Sequence, residues 1–407
     1  MLQRLEQHAG SLRARYNVSV TVLNNAAPLA SRPPDQSIVT RVIQEVKEWH
    51  AIRREWDELY SSSPTASPAL DFTWLQTWWH VYESGLRVPE LRVVTVWRGT
   101  RLIGAMPLYT YQDTTEPFRL RRLGFLSTGE AEAEETCADY LNILVAATEE
   151  AACVDAVWRA VGLMKWDHLQ LLDIPEDTPL LKLGSVPPGA RVITRGKCPI
   201  ADLRGGFDAY LDKLSPSRRQ HNRRLIRAGE RAGANFEIAD SSTSDEAFDD
   251  LVRLHQERWN ADGKPGVFAA PRFLEFHRSL VRQWLPTGKA LLARLTLDST
   301  TAVVLYGFVT GEKFDFYQSG VQVDSTSPVK SPGTLAHLLF MRSLAERGIT
   351  SYDFLRGTST YKERGATEVA ELIEIQIWRL NTRAVLYRAI RALWRACRKL
   401  TRPLQAR

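Results

Sequence analysis

Apolar residues recur along this chain with two periods, and the change from one to the other lays out the elements. Trp49, Ile52, Trp56 and Leu59 stand three and four apart, which predicts a helix over 42–60. A loop follows at 61–68. Asp71 is placed to cap a second helix carrying Phe72, Leu75, Trp78, Trp79 and Tyr82. That Trp stripe reads as core, with a sugar-stacking surface as the alternative. Residues 91–97 and 101–109 are two runs of strand formers around Arg98-Gly99-Thr100, a β-hairpin. Strands at 139–146 and 167–174 enclose a helix at 149–162. Four prolines in 175–200 mark a boundary, and a strand starts at Ile200.

The second half repeats this outline. Helices are predicted at 207–214, after Ser215-Pro216, at 247–260 and at 271–285. A second hairpin turns at Asp298-Ser299-Thr300 between 290–297 and 301–309. Strand 314–321 then leads through a loop at 322–331 to Ser331-Pro332-Gly333-Thr334. These four residues suit the opening of a helix, with Ser331 as cap and Pro332 in the first turn. Leu335, Leu338, Leu339 and Leu344 give that helix an apolar side, Gly348 stops it, and 349–355 is a strand. A usual crossover makes the two strands parallel. Two hairpins, each after Trp-bearing helices and before further βα elements, describe one α/β (α+β) architecture used twice. The divisions are an extension at 1–36, domains at 37–180 and 181–382, and a tail at 383–407.

Charge changes the picture mainly at the tail. The net charge is +6, but residues 383–407 hold eight Lys or Arg and no acid, leaving −2 on the rest. The basic balance therefore belongs to the tail, and nucleic acid is an unlikely partner of the body. Within the tail Leu386, Ile390, Leu393, Trp394, Cys397 and Leu400 share a helical side flanked by arginines. This basic amphipathic helix suits either an anionic membrane surface or packing on the body. Four scattered cysteines make no CxxC pair, and no run is apolar enough to span a bilayer. A cytoplasmic protein, either free or peripheral at the inner membrane face, is the expectation.

Candidate chemistry is sparse. The eight histidines form no HxxxH or HExxH pattern, so no metal is expected, and no GxSxG elbow marks a serine hydrolase. Residues 217–231 stack Arg219, Arg223 and Arg227 at helical spacing, either as a phosphate contact or as a solvated face. A strand feeding a loop and a helix N-terminus points free N–H groups at one spot. Lys330 and Ser331 stand at that spot, which reads either as an anion site or as a plain βαβ unit.

Residues SPG before an apolar helix, then YDFLRG and YK, resemble the second half of the BioF2-like, CelD-type acetyltransferase family. This family has the GNAT fold and is related to the FemAB peptidoglycan transferases. Leu254-His255-Gln256-Glu257-Arg258-Trp259, the run Trp74 to Trp79 and the run Arg101 to Leu108 fit the same resemblance, over roughly 50–380. It implies two tandem GNAT-like domains and acyl transfer, with acetyl-CoA as donor and an amine or hydroxyl of a sugar or envelope-polysaccharide precursor as acceptor. The strand carrying Tyr317 and Ser319 would pair with the pantetheine arm, and Lys330, Ser331, Gly333 and Thr334 would take the pyrophosphate. Glu257 or Asp353, with Asp315 behind them, would serve as base and Tyr361 as acid for the thiolate. Arg356 and Lys362 would hold substrate. A FemAB-like aminoacyl-tRNA-dependent transferase and a non-catalytic accessory of polysaccharide biosynthesis are the alternatives.

Overall fold

Two runs of elements follow one another along the chain. The first comprises β1 (Ile38–Ile43), α1 (Val46–Ala51), α2 (Arg53–Ser62), α3 (Phe72–Tyr82), β2 (Glu90–Leu91), β3 (Val93–Arg98), β4 (Arg101–Met106), β5 (Leu108–Gln112), β6 (Arg121–Phe125), β7 (Leu144–Val145), α4 (Glu150–Leu163) and β8 (His168–Pro175). The second comprises β9 (Arg191–Asp202), α5 (Phe207–Lys213), α6 (Pro216–Arg231), β10 (Asn235–Ile238), α7 (Ser244–Ala261), α8 (Pro271–Trp284), β11 (Ala290–Leu297), β12 (Thr300–Thr310), β13 (Lys313–Val321), α9 (Pro332–Glu346), β14 (Ser351–Asp353), α10 (Thr360–Gly365), β15 (Glu368–Trp378) and α11 (Thr382–Leu400). The computed structural model describes residues 37–112, 119–184, 186–322, 329–357 and 359–400. The 1–36 extension, the end of the tail and most of the 322–331 loop lie outside the described residues.

One mixed sheet of eleven strands crosses both halves in the order β10-β11-β12-β13-β14-β9-β15-β8-β6-β5-β2. A smaller sheet, β1-β3-β4-β7, stands beside it. The junction is β15, which runs antiparallel to β9 on one side and to β8 on the other. The hairpin of the first half splits at Pro107: β4 stays in the small sheet and β5 joins the large one.

Most elements lie where the apolar pattern predicts, and three do not. The helix expected over 42–60 begins as strand β1 and breaks at Ile52 (φ −102°, ψ 16°). The strand expected at 139–146 shrinks to Leu144–Val145, after Tyr140 at φ 62°. The proline-rich stretch taken as a boundary contains ten of the twelve residues of β9, which starts well before Ile200. Asp71 caps α3 as expected, accepting from Thr73 N at 2.8 Å. α9 ends in a left-handed Gly348 (φ 86°), with Ile349 N bonding Leu344 O at 3.0 Å and Gly348 N bonding Ala345 O at 3.1 Å.

The Trp stripe of α3 is core, and it is the core between the halves. Trp74 packs edge-on against Phe276 and Phe308, with ring centres 5.0 and 5.3 Å away. Its indole N–H bonds Ser127 Oγ at 2.9 Å. Lys289 Nζ reaches Asp71 Oδ2 at 2.6 Å across the same seam. At the C-terminus Ala384 and Tyr387 of α11 are buried and Tyr387 stacks on Trp378, whereas Leu386 and Ile390 stay 50% and 40% exposed. The side chains of Leu393, Trp394, Cys397 and Leu400 lie outside the described ones. No helix among the described residues is long and apolar enough to cross a membrane.

Candidate active site

β13 holds the key geometry. Tyr306 lies opposite Gln318 and Gly307 opposite Phe316, so Tyr317 is an extra residue, a β-bulge. Gly307 is required there, since a Cβ would collide with the Asp315 carbonyl. β13 pairs in parallel with β14 only over Lys313–Asp315 and then continues to Val321 paired with β12 alone. Beyond Asp315 the backbone of β13 therefore has an open edge on the β14 side. The chain then returns to start α9, whose N-terminus carries no side-chain cap: Ser331 does not bond it, contrary to the expected role. The N–H groups of Gly333 and Thr334 have no acceptor among the described residues.

A cavity of about 500 Å³ opens at this helix end. Ser331, Thr334 and His337 of α9 form one wall, Arg218, His221 and Asn222 of α6 another, and Tyr361 and Arg364 of α10 a third. No Asp or Glu is among the lining residues, and neither Arg218 nor Arg364 is ion-paired among the described residues. A helix N-terminus, two arginines and no carboxylate are chemically suited to an anion. His337 is buried, with Nδ1 2.7 Å from the Tyr352 hydroxyl, and burial pushes its pKa down to about 3. It is a neutral imidazole at physiological pH and no base. Tyr361 stacks over it at 5.4 Å, and desolvation of its phenol raises the pKa above the usual value, so the hydroxyl stays protonated. Among the described residues no group of His, Cys, Asp and Glu is placed to hold a metal.

Of the residues singled out from the sequence, Ser331, Thr334 and Tyr361 line this cavity. Lys330 is exposed beside it, and Gly333 sits on the same helix turn. Ser319 lies on β13 past the bulge. Glu257 does not come to the site: it is exposed on α7 beside Arg253, at 3.4 Å.

Four others are engaged at the seam between the halves. Tyr317 is turned into the core, its hydroxyl donating to Thr136 O at 2.6 Å, with His277 Nε2 at 3.0 Å. Asp353 is fully buried; it accepts from Tyr140 at 2.5 Å, from Lys313 Nζ at 2.8 Å and from Leu355 N at 2.7 Å. Asp315 shares Lys313, at 2.9 Å, and burial pushes its carboxyl up to about 6. Arg356 donates to Asp173 at 2.5 Å, its backbone N–H bonds Asp139, and burial pushes Asp139 up to about 7 against the pull of Arg356. Lys362 is also engaged, donating to the carbonyls of Phe354, Leu355 and Arg356 at 2.6, 3.2 and 3.0 Å. All three of its donors are used, holding Leu355 in a left-handed turn (φ 55°).

Sequence reasoning missed Arg218, His221, Asn222 and His337. The basic run of α6 was the available signal for three of them, since one face of it turns to the cavity and the rest to solvent.

Comparison with known proteins agrees with the fold. Residues 216–363 match the family model of the acetyltransferase (GNAT) domain. Among solved structures, FemX superposes with a TM-score of 0.57 at 14% identity, over 83% of this chain and 98% of that one. A conserved protein of unknown function from Bacteroides thetaiotaomicron superposes with a TM-score of 0.52 at 11% identity, over 83% and 99%. No curated protein sequence matches. Both superpositions span the two halves, so the shared feature is the whole two-part fold.

Proposed function

Since residues 216–363 carry a GNAT-type acetyltransferase domain within a fold shared with FemX, we propose that the protein transfers an acetyl group from acetyl-CoA to an amine or hydroxyl of a sugar or envelope-polysaccharide precursor. The observation that carries this is the carboxylate-free cavity at the uncapped start of α9, next to the open edge of β13. The pyrophosphate of the donor fits the N–H groups of Gly333 and Thr334, the Ser331 and Thr334 hydroxyls and Arg218. The pantetheine arm, an extended diamide, suits strand-like pairing with the backbone of β13 beyond Asp315. Backbone N–H groups of that edge are suited to the developing oxyanion. Tyr361, a protonated phenol lining the cavity, would give its proton to the departing thiolate and take back the proton released by the attacking amine or hydroxyl.

Calorimetric titration with acetyl-CoA tests the reading, run on the parent and on Arg218→Glu. Saturable binding that the variant weakens at least tenfold supports it. No binding to the parent overturns it and favours an aminoacyl transferase of FemAB type, the second reading, which the match to FemX across both halves keeps in view. The exposed Leu386 and Ile390 beside Arg383, Arg388 and Arg391 favour contact with an anionic membrane surface. Cosedimentation with anionic liposomes that survives deletion of 383–407 would remove that element.

A further inference from the structure

The sheet face around β15 is polar where a second core would be expected. Ile373, Ile375 and Ile377 point into the core, and Glu374, Gln376 and Trp378 point the other way. An outward face is normally wet, yet Glu374 and His168 are 3% exposed, Asp173 is 2% exposed and Arg122 is 9% exposed. Covered polar groups are costly unless they are tied together, and these are tied into a track. Arg356 donates to Asp173 at 2.5 Å, and Arg195 bridges Asp173 and Glu374 at 3.7 Å each. Gln170 donates to Glu374 at 2.7 Å. Arg122 donates to Gln170 at 2.8 Å and lies 3.1 Å from His168 Nδ1. Trp378 stacks on His168 at 3.8 Å and on Tyr387 of α11 at 5.5 Å.

The two ends of the track give it meaning. One end, Arg356, stands in the loop between β14 and α10, whose carbonyls Lys362 holds one residue from Tyr361. The other end is the floor of a cavity of about 870 Å³ between the first half and α11. Five arginines line it: Arg87, Arg122, Arg191, Arg388 and Arg391. Three glutamates oppose them, of which Glu130 is held by Trp78 and Thr136 and Glu134 by Arg272 at 3.1 Å. The lining is thus cationic, with Tyr111 as a partly exposed ring. Arginine forks suit phosphate and carboxylate oxygens, fixed amides suit hydroxyls, and aromatic rings suit sugar faces.

We propose that this cavity, floored by the Arg122, His168 and Gln170 end of the track, binds the acyl acceptor, an elongated hydroxyl-rich molecule whose anionic group, phosphate or carboxylate, is held by Arg191 and Arg388. The acceptor's charged end then lies under α11. As an acceptor site it rests on the transferase reading; as an anion-recognising site it stands by itself.

Titration by ligand-observed NMR tests it with glucose 1-phosphate, glucuronate and glucose. Glucose 1-phosphate, glucuronate or both are expected to bind saturably and at least tenfold more tightly than glucose, and the tighter of the two identifies the anion. Arg191→Glu/Arg388→Glu, both exposed positions, is expected to weaken the anionic sugar at least tenfold and to leave acetyl-CoA binding unchanged. Arg224→Glu, exposed on α6 away from this cavity, is expected to change neither. Equal binding of all three sugars, no binding of any, or an unchanged affinity in the double variant overturns the proposal. An equal loss in Arg224→Glu also overturns it, by showing nonspecific charge attraction. Loss of acetyl-CoA binding by the parent with anionic-sugar binding intact would remove the donor reading and leave this site standing.

Discussion

Replacing Gly333 by glutamate separates ligand binding from folding, because the two effects run in opposite directions. Gly333 is the second residue of α9, and a Cβ there meets only Val321 Cγ2, at 3.6 Å. Removing a helical glycine is worth about 0.5–1 kcal/mol, and a carboxylate in the first turn adds about 0.3–1 kcal/mol through the helix dipole. The variant is therefore expected to melt at or above the parent temperature. The same carboxylate repels a bound phosphate. Two unit charges about 6 Å apart interact by about 0.7 kcal/mol in bulk water and about 3 kcal/mol at an effective dielectric near 20. That range is roughly a threefold to hundredfold loss of affinity, with added salt moving it toward the low end. The assay is acetyl-CoA calorimetry at two salt concentrations beside thermal unfolding of the same samples. Weaker binding with an unchanged or raised melting temperature supports an anion site at α9. Parental affinity in a fully folded variant refutes it, and a lowered melting temperature refutes the packing argument.

Two further changes follow from the site's surroundings. Lys362→Ala leaves the carbonyls of Phe354, Leu355 and Arg356 without their donor; urea unfolding is expected to show a loss of about 2–4 kcal/mol, and parental stability would return Lys362 to a substrate role. His337 has a folded pKa of about 3, lowered by burial, against about 6.5 unfolded. The folded state thus binds fewer protons between these values, so stability is complete above about pH 6.5 and falls with acidification at up to about 1.4 kcal/mol per pH unit. His337→Gln should flatten the unfolding profile between pH 6.5 and 4, and an unaltered slope would show that His337 is not buried neutral.

The elements were legible because each is fixed by local period and punctuation: the Trp stripe of α3, the two hairpins, and Gly348 closing α9. The open edge of β13 was not, since a bulge at Tyr317 follows from register against β12 and leaves no mark in composition. The seam was hidden for a different reason. Asp353 meets Tyr140, Arg356 meets Asp139 and Tyr317 meets Thr136, each pair more than 180 positions apart in sequence. A carboxylate read without its distant partners looks available for catalysis. The same blindness hid the cavity: Arg218 and Tyr361 lie on α6 and α10, and only the packing of both beside α9 brings them together.

The seam also predicts that the second half does not stand alone. Residues 188–382 keep β9 to β15 but lose β8, which leaves one edge of β15 bare from Leu372 to Trp378. Ile373, Ile375 and Ile377, at most 5% exposed in the whole chain, lose part of their cover. Trp74 disappears from Phe276 and Phe308, and Arg356 loses both Asp139 and Asp173. A bare, apolar strand edge pairs with whatever edge it meets, and removing both carboxylates from a half-buried arginine costs about 3–5 kcal/mol. The piece limited to 216–363 is worse placed, since it lacks β9 and β15 and leaves β14 paired only to β13. Size-exclusion chromatography and thermal circular dichroism of 188–382 are expected to show aggregation without a cooperative transition. Coexpression with 37–187 should restore a soluble pair, because β8 then caps the edge again. A monomeric 188–382 with a sharp transition would show that each half owns its stability and that the continuous sheet is a docking contact between finished domains.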